Sequence, residues 1–517
     1  MLAEVLAGIQ SSLTMGALIA NITGTILGII FGALPGLTAT MGVALLIPIT
    51  FGMPPVDAFA ALLGMYCGAI YGGSISAIMV GTPGTVAAAA TLLEGPKLTA
   101  KGQSRKALEM ATYASFIGGI FSTIALVTIA PLLAIAAMKF GPAEYFSLAF
   151  FGLAIVTTLS SGSIVKGIIS MCAGLFLSTI GIDPVSGDFR NTFDIPDLFS
   201  GLNLVPALVG LFAVSQALVS LEGVFCGKGN LVSAGSLSKE GITFAEMKSN
   251  FGNFMRSCSI GTFIGIIPAT GASAAIFMAY AEAKRWSKTP ELFGTGHLEG
   301  IAATESSNNA VTGGALVPLM TLGLPGDTIT AIMLGALMIQ GLVPGPLLFV
   351  EHATTVYGIF SALFLANVFM LIFGLIAIRM AGSLVKVPNA ILMPIVLVLC
   401  AVGSYAVNNS FFDVSVMAIL GIIGYLMVKL GFPQAPMLLG MILGPLAESN
   451  FRRALSISRD DLSIFVTHPI SCVILLAALV FFFRSIYVEF KTYKRQQVEN
   501  STSDADDMED ANANEHT

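Results

Sequence analysis

Apolar runs of 18 or more residues follow one another along almost the whole chain of 517 residues, separated by short polar stretches. A helix of that length crosses roughly 30 Å of hydrocarbon. The pattern predicts an all-α integral membrane protein with about ten to twelve transmembrane helices.

Two of these runs are interrupted by the same motif, Gly-x-Pro-Gly, at residues 81–84 and again 242 residues later at 323–326. Upstream of each copy, Gly-x3-Gly-x2-Pro occurs at 28–35 and at 261–268. The order and near-equal spacing predict two repeat units, each containing broken or re-entrant helices. We expect the repeats to be inverted, because broken-helix carriers commonly pair inverted repeats around a site at the membrane midplane.

These signals predict a division of the chain into four parts. The first transmembrane half spans 1–222, a polar connection spans 223–253, the second half spans 254–490, and an acidic disordered tail spans 491–517. After the first break, residues 85–93 are too few to cross the bilayer on their own. They predict a re-entrant hairpin or a helix broken at mid-membrane.

The composition agrees with a membrane protein and limits its energy source. Only 10% of residues are charged and the mean hydropathy is +0.87, whereas a soluble domain carries roughly 25% charged residues. The chain has no Gly-x4-Gly-Lys-Ser/Thr loop and no long polar insertion that could hold an ATPase. Transport would therefore be driven by an ion gradient or by another polypeptide.

Charges at the polar ends predict the topology. The tail from Glu499 to Thr517 contains seven acids and no Lys or Arg, which is typical of solvated disorder. Basic residues just before it, and a basic cluster at 97–106, indicate cytoplasmic segments by the positive-inside rule. The six cysteines form no Cys-x2-Cys pair, so neither a disulfide framework nor a metal site is expected.

The breaks themselves are candidate binding sites. A helix broken inside a membrane leaves backbone N–H groups unpaired, and these donors favour an anion such as a carboxylate. Glycine lets a ligand approach the backbone, and the proline prevents the helix from closing. The alternative is that both motifs are only packing kinks.

A polar run at 304–309 within apolar surroundings is the second candidate, since Asn and Ser offer both donors and acceptors. Glu305 and Asp327 are candidates for ion coupling, because ionisable groups inside a membrane are costly and usually functional. Alternatively, Glu305 lies near the interface, or Asp327 caps a helix, which would still be compatible with binding. The predicted substrate-binding residues are Thr38, Thr40, Ser74, Gly81, Thr82, Pro83, Gly84, Thr85, Thr270, Ser273, Ser306, Ser307, Asn308, Asn309, Gly323, Pro325, Gly326 and Thr328.

Other function classes receive less support. An intramembrane protease would need Gly-x-Gly-Asp with a second Asp, Gly-x-Ser-x-Gly or His-Glu-x2-His, and residues 324–327 read Leu-Pro-Gly-Asp. No enzymatic activity, catalytic residue or metal is expected. A passive carboxylate channel or exporter remains an alternative to a carrier.

Four separated motifs closely resemble the large membrane subunit of the tripartite tricarboxylate transporter family. They read Gly-Ala-Leu-Pro-Gly-Leu-Thr at 32–38, Tyr-Cys-Gly-Ala-Ile-Tyr-Gly-Gly-Ser at 66–74, Gly-Thr-Pro-Gly at 81–84 and Gly-Leu-Pro-Gly-Asp at 323–327. They occur in the family's order, and the similarity spans about residues 15–450, without the acidic tail.

The resemblance implies a multi-pass permease of the bacterial inner membrane with its C-terminus in the cytoplasm. It implies two protein partners, a small four-helix membrane subunit and a periplasmic solute-binding protein, and no nucleic acid. The expected function is secondary active import of a di- or tricarboxylate such as citrate by alternating access. The coupling ion would be Na⁺ or H⁺, with no other cofactor.

Overall fold

The computed structural model of the chain describes residues 2–34, 36–156, 163–183, 186–226, 237–238, 240–268, 271–384 and 389–483. Almost all of these residues are helical. The first half contains α1 (Leu2–Ser12), α2 (Met15–Ala33), α3 (Ala39–Thr50), α4 (Pro55–Val80), 3₁₀ turns at Val86–Ala88 and Ala90–Leu93, α5 (Gly95–Ala100), α6 (Ser104–Ala137), α7 (Pro142–Val156), α8 (Ile164–Ser178), β1 (Gly181–Ile182), β2 (Phe189–Arg190), a 3₁₀ turn at Pro196–Leu198, α9 (Leu204–Leu208), a π-helical turn at Val209–Val214 and α10 (Ser215–Phe225).

The later part of the chain continues in the same way. It contains α11 (Phe244–Ser249), α12 (Phe251–Ile266), α13 (Gly271–Trp286), a 3₁₀ turn at Pro290–Leu292, α14 (Leu298–Leu322), α15 (Thr328–Ile339), α16 (Leu348–Glu351), α17 (Ala353–Leu384), α18 (Asn389–Asn408), α19 (Phe411–Leu430), α20 (Gln434–Ser458), α21 (Ile464–Thr467) and α22 (Pro469–Phe483).

The predicted all-α membrane fold is confirmed. Within the described residues, seven helices are long and apolar enough to cross a membrane, and four shorter helices are also apolar. Among the described residues, one small sheet pairs β1 with β2 in antiparallel register. The total of ten to twelve crossings and the inverted orientation of the repeats stay predictions.

Contacts divide the chain into two compact units. The larger unit comprises residues 1–140 and 176–430, and the smaller comprises 141–175 and 431–517. The larger unit contains both Gly-x-Pro-Gly breaks and the polar run. The predicted four-part division of the sequence remains a prediction.

Helices α2 and α4 of the larger unit pack backbone against backbone. Gly24, Gly28 and Gly32 follow at every fourth residue on this face of α2, and a Cβ added at Gly24 or Gly28 would lie 2.1 or 2.5 Å from a carbonyl oxygen of α4. The seam is reciprocal, since a Cβ at Gly68 of α4 would lie 2.4 Å from the Thr25 oxygen. Only residues without side chains allow this approach, which is how helices associate in lipid.

Helices α12 and α14 form a similar seam later in the chain. Cβ atoms added at Gly261 and Gly314 would lie 2.3 and 2.6 Å from carbonyl oxygens of the opposite helix. The long helices then cross over between the seams, because α6 packs against α14 and α17 packs against α4. Each broken helix is therefore covered by a helix that follows the other break.

The outer helices of the larger unit present apolar stripes. On α18 the exposed side chains Ile391, Ile395, Val398 and Val402 follow helical spacing along one face. In water such a stripe would need a protein partner, but on a helix of this hydropathy it suits contact with lipid tails. The chain is thus a multi-pass membrane protein.

The smaller unit is built around an aromatic cluster. The rings of Phe146 on α7, Phe451 on α20 and Phe465 on α21 lie with centroids 4.9 to 5.4 Å apart. Beside them, Glu144 accepts a hydrogen bond from the Gly141 N–H and lies 3.0 Å from the His468 ring nitrogen. None of the predicted site residues belongs to this unit.

The seam between α2 and α4 generates a first prediction. Replacing Gly68 with Ala places a methyl group against the Thr25 carbonyl, so we expect a loss of about 1–3 kcal/mol of stability although Ala favours helix. Gly252→Ala is the matched control, because Gly252 is helical and has no atom within 4 Å of an added Cβ. Thermal unfolding of the two purified variants in detergent micelles would measure this. Equal melting temperatures would contradict the backbone seam.

Candidate functional site

The first break lies where α4 ends. Gly81 terminates the helix in the left-handed conformation, with φ of 75°, which favours glycine. Three residues later, a Cβ at Gly84 would lie 1.9 Å from the carbonyl oxygen of Gly32 at the end of α2. Thr85 then turns into extended conformation before the 3₁₀ turns. The motif thus folds the chain back onto the seam between α2 and α4.

The second break repeats this geometry where α14 ends. Gly323 terminates the helix with φ of 70°. A Cβ at Gly326 would lie 2.7 Å from the carbonyl oxygen of Gly265 on α12 and 2.6 Å from Ala315. The next residue, Asp327, is extended and starts α15. At both breaks the first glycine of the motif adopts a left-handed backbone conformation, and the second lies where a side chain would collide with a neighbouring helix.

The neighbours of the two breaks correspond along the chain. The offset of 242 residues relates the tips, and Gly32 and Gly265 belong to the shared upstream motif. Likewise, Gly73 contacts Gly84 as Ala315 contacts Gly326. These correspondences support the predicted repeat.

Asp327 has hydrogen bonds to both carboxylate oxygens. Its Oδ1 accepts from the N–H and the hydroxyl of Thr330, each at 2.7 Å, in a capping box at the start of α15. Its Oδ2 accepts from the Tyr66 hydroxyl at 2.6 Å. Asp327 is thus a helix cap that also ties the second break to α4.

The polar run of α14 is fully buried in the protein. Glu305 is 0% exposed. It accepts a hydrogen bond from Thr91, which lies in the segment after the first break, and its carboxylate lies 3.4 Å from the Asn308 amide nitrogen. Thr91 also lies 3.2 Å from the Thr304 hydroxyl. The segment after the first break therefore rests on the polar run of the second broken helix.

Several buried polar atoms at this place have no hydrogen-bond partner. Within the part of the chain that the structure describes, they include Thr85 Oγ1, Ser307 Oγ, Asn308 Oδ1 and both amide atoms of Asn309. An unsatisfied buried group costs about 1–3 kcal/mol. Such a concentration beside a helix break is what a site for a polar ligand requires.

The remaining predicted residues have more local environments. Thr38 caps α3 by accepting from the Met41 N–H at 3.1 Å, and Thr40 lies in the first turn of that helix. The hydroxyls of Ser74 and Ser306 donate to backbone carbonyls of their own helices. Thr82 and Pro83 are exposed, whereas Pro325 is buried within the second break. Ser273 lies at the start of α13 and Thr328 at the start of α15. Thr270 lies outside the described residues.

One buried carboxylate of this region is not among the residues predicted from the sequence. Glu94 is fully buried and accepts four hydrogen bonds, from the Tyr280 hydroxyl and from the N–H groups of Gly294, Gly296 and His297, at 2.5 to 2.8 Å. It joins the end of the segment after the first break to the loop before α14. A signal existed, since Glu94 is one of only three charged residues among the first 96.

The electrostatics of the region are one-sided. No Lys or Arg occurs in residues 1–96 or 289–378, the stretches that contain both breaks and the polar run. Among the residues that the structure describes, no Lys or Arg side chain is buried, whereas Glu94, Glu305 and Asp327 are. Among the described residues of this region, the buried charged groups are therefore carboxylates.

Residues 18–439 match the family model described as "Tripartite tricarboxylate transporter TctA family". This range includes both breaks, both glycine seams and the whole of α14. The chain belongs to the TctA family. It is therefore a membrane component of a tricarboxylate transport system, and its family is one of transporters rather than enzymes.

Two proteins of Agrobacterium vitis are similar to this TctA-family chain. One, named "Uncharacterized 52.8 kDa protein in TAR-I ttuC' 3'region", is 36% identical over 474 residues, which cover 91% of this chain and 93% of the relative. The other, named "Uncharacterized protein in TAR-II ttuC' 3'region", is 36% identical over 238 residues, covering 46% of this chain and 98% of the relative. No solved structure matches.

The Glu94 contacts generate a second prediction for this TctA-family protein. In Glu94→Gln an amide replaces a carboxylate that accepts four bonds, so charge-assisted hydrogen bonds are lost, and we expect stability to fall by about 2–4 kcal/mol. Glu299→Gln is the control, because Glu299 is partly exposed and pairs only loosely with His297, at 3.6 Å. Thermal unfolding in lipid nanodiscs would compare them. An unchanged midpoint for Glu94→Gln would contradict the role of this carboxylate as a fastening.

Proposed function

We propose that this chain is the permease of an ion-gradient-driven importer for a di- or tricarboxylate of the citrate type. The substrate would be delivered by a periplasmic solute-binding protein, and a small four-helix subunit would complete the complex in the bacterial inner membrane. The observation that carries the proposal is the set of unpartnered buried polar atoms on α14 and at Thr85, directly after the first helix break, in a TctA-family chain.

The chemistry of these atoms suits a carboxylate ligand. The hydroxyls of Thr85 and Ser307 and the amide nitrogen of Asn309 are free to donate, and a carboxylate satisfies such donors with two acceptor oxygens. The amide oxygens of Asn308 and Asn309 need donors or a cation. A ligand with both kinds of group would satisfy the set.

The missing positive charge supports ion coupling. An anion brought next to the buried Glu305 and Asp327, with no basic residue in either stretch, would add like charge in a medium of low dielectric. Burying charge without a partner costs several kcal/mol. A cation or proton that enters with the substrate removes this cost, so substrate and ion would bind together. Glu305 is the foremost candidate for the carboxylate that binds this cation or proton, because the oxygens of Asp327 already accept three hydrogen bonds from the protein.

Transport would follow by alternating access. The unit that contains both breaks would expose the site to each side in turn, and the empty and fully loaded forms would be those that reorient. The basic residues at 97–106 and after 483 favour a cytoplasmic side for these segments and for the C-terminus.

The proposal predicts gradient-dependent uptake. Radiolabelled di-, tri- and aromatic carboxylates would be offered to vesicles that contain this chain, the small subunit and candidate binding proteins, under imposed Na⁺ or H⁺ gradients. We expect saturable uptake driven by one of the two ions, and a fall of at least about tenfold in Glu305→Gln, because the partner of the ion is removed. Glu299→Gln, on the same helix, serves as the control.

Two results would contradict this proposal. Uptake that rises linearly with concentration and ignores both gradients would indicate a passive channel or exporter. Wild-type rates and gradient dependence in Glu305→Gln, with the variant correctly inserted, would exclude Glu305 from coupling.

A further inference from the structure

We propose that the substrate binds at the first break only, as a hydroxylated carboxylate, between Thr85 and Asn308, and that Tyr66 closes the equivalent space at the second break. This inference rests on the proposed function and adds to it a site and a substrate class. The two breaks have similar backbone surroundings but differ in the side chains beside them.

The two places are related by the offset of 242 residues. This offset pairs Thr85 with Asp327 and Tyr66 with Asn308. The residues before them have matched neighbours, as Gly84 and Gly326 meet the carbonyls of the shared upstream motif. Thr85 and Asp327 also share an extended backbone, with φ of −134° and −147°. The same offset therefore maps the contact between Tyr66 and Asp327 onto the pair Asn308 and Thr85.

At the second break the protein fills the space itself. The Tyr66 ring is 1% exposed and its hydroxyl reaches Asp327 at 2.6 Å. With Thr330 on the other oxygen, both oxygens of the Asp327 carboxylate already accept hydrogen bonds from the protein. This place is therefore closed.

At the first break, the Thr85 hydroxyl and the Asn308 amide oxygen have no hydrogen-bond partner among the described residues. Thr85 stands at the start of a 3₁₀ turn without a side-chain cap, and its hydroxyl has no partner. Asn308 replaces a tyrosine with a much shorter side chain, and its Oδ1 also has no partner. Both residues are at least nine-tenths buried. The binding space of this proposal lies between these two polar groups, at the position that the Tyr66 ring fills at the second break.

The polarity of this binding space defines the ligand. Thr85 offers an O–H, which a carboxylate oxygen accepts. Asn308 directs its amide nitrogen to the Glu305 carboxylate, at 3.4 Å, and this neighbour orients the amide so that Oδ1 faces away from it. A free amide oxygen cannot bind a carboxylate but accepts from a hydroxyl. A hydroxyl beside a carboxylate, as in citrate, satisfies both atoms.

The test compares citrate with tricarballylate, which has the same three carboxylates and lacks the hydroxyl. Half-saturating concentrations would be measured by gradient-driven uptake into vesicles containing the full chain with its partner subunit and one binding protein throughout. We expect tricarballylate to need about tenfold more in the wild type, because a site that hydrogen-bonds a hydroxyl rejects the analogue that lacks it. In Asn308→Leu this ratio should fall to the value that the binding protein alone sets. The binding protein is constant, so the change reports on this chain.

Further variants separate the two breaks. Asn308→Tyr fills the binding space and should lower affinity for both compounds by about a hundredfold or more, while Thr85→Val removes one donor and should weaken both about three- to tenfold. Tyr66→Phe, which keeps the ring but loses the bond to Asp327, should leave the citrate to tricarballylate ratio unchanged. Thermal unfolding of each variant verifies that it is folded.

The outcomes distinguish this inference from the proposed function. Equal affinities of the wild type for the two compounds, with intact gradient-driven uptake, would overturn the hydroxyl assignment and leave the transporter standing. A ratio that responds to Tyr66→Phe and not to Asn308→Leu would move the site to the second break. No gradient-driven uptake of any carboxylate by the wild type would overturn the proposed function and this inference with it.

Discussion

The contact of backbone with backbone between α2 and α4, and between α12 and α14, is the constraint on which the rest of the larger unit depends. Lipid tails are as apolar as leucine, so helices gain little from burying apolar side chains against one another. Glycines at Gly24, Gly28 and Gly68 replace that driving force with close packing. Because α2 and α12 end in carbonyls that meet Gly84 and Gly326, the same seams also fix where each broken helix turns back.

Two similar scaffolds carry unequal chemistry. At one break Tyr66 donates a hydrogen bond to Asp327, and at the other the Thr85 hydroxyl and the Asn308 amide oxygen have no partner in the part of the chain that the structure describes. Backbone contacts hold both breaks in place, so the side chains beside them are free to differ. The second break is joined by side-chain hydrogen bonds to α4, and the first is the place where we propose that the substrate binds.

The sequence predicted what local pattern determines. Apolar run length gave the helical membrane class, and the Gly-Pro motifs marked helix ends that are real, with Gly81 and Gly323 in left-handed conformation. The burial of Glu305 also follows from its place in an apolar segment. The alternative of a cap at Asp327, weighed from the Gly beside it, agrees with the hydrogen bonds to Thr330.

What could not be read from the sequence depends on residues far apart. Nothing local identifies Tyr66 as the partner of Asp327, or Thr91 as the partner of Glu305, because each pair joins different halves. The segment after the first break forms 3₁₀ turns rather than one helix, since its contacts with α14 outweigh the helix propensity of its alanines. Thr38 is a local helix cap. The sequence could not distinguish this role from ligand binding, because a threonine directly before a helix is compatible with both.

The four hydrogen bonds to Glu94 also bear on how the protein is made. Their donors lie 186 to 203 residues later in the chain, and at about 5–20 residues per second a ribosome needs roughly 10–40 seconds to reach them. During that interval Glu94 is a carboxylate without its donors, next to apolar helices that are already inserting. The segment after the first break can therefore form its hydrogen bonds to Gly294, Gly296 and His297 only after these residues have been synthesised. The glycine seam between α2 and α4 can form early, because both helices precede the first break. The contacts of Glu94 form later, because they need residues 294–297.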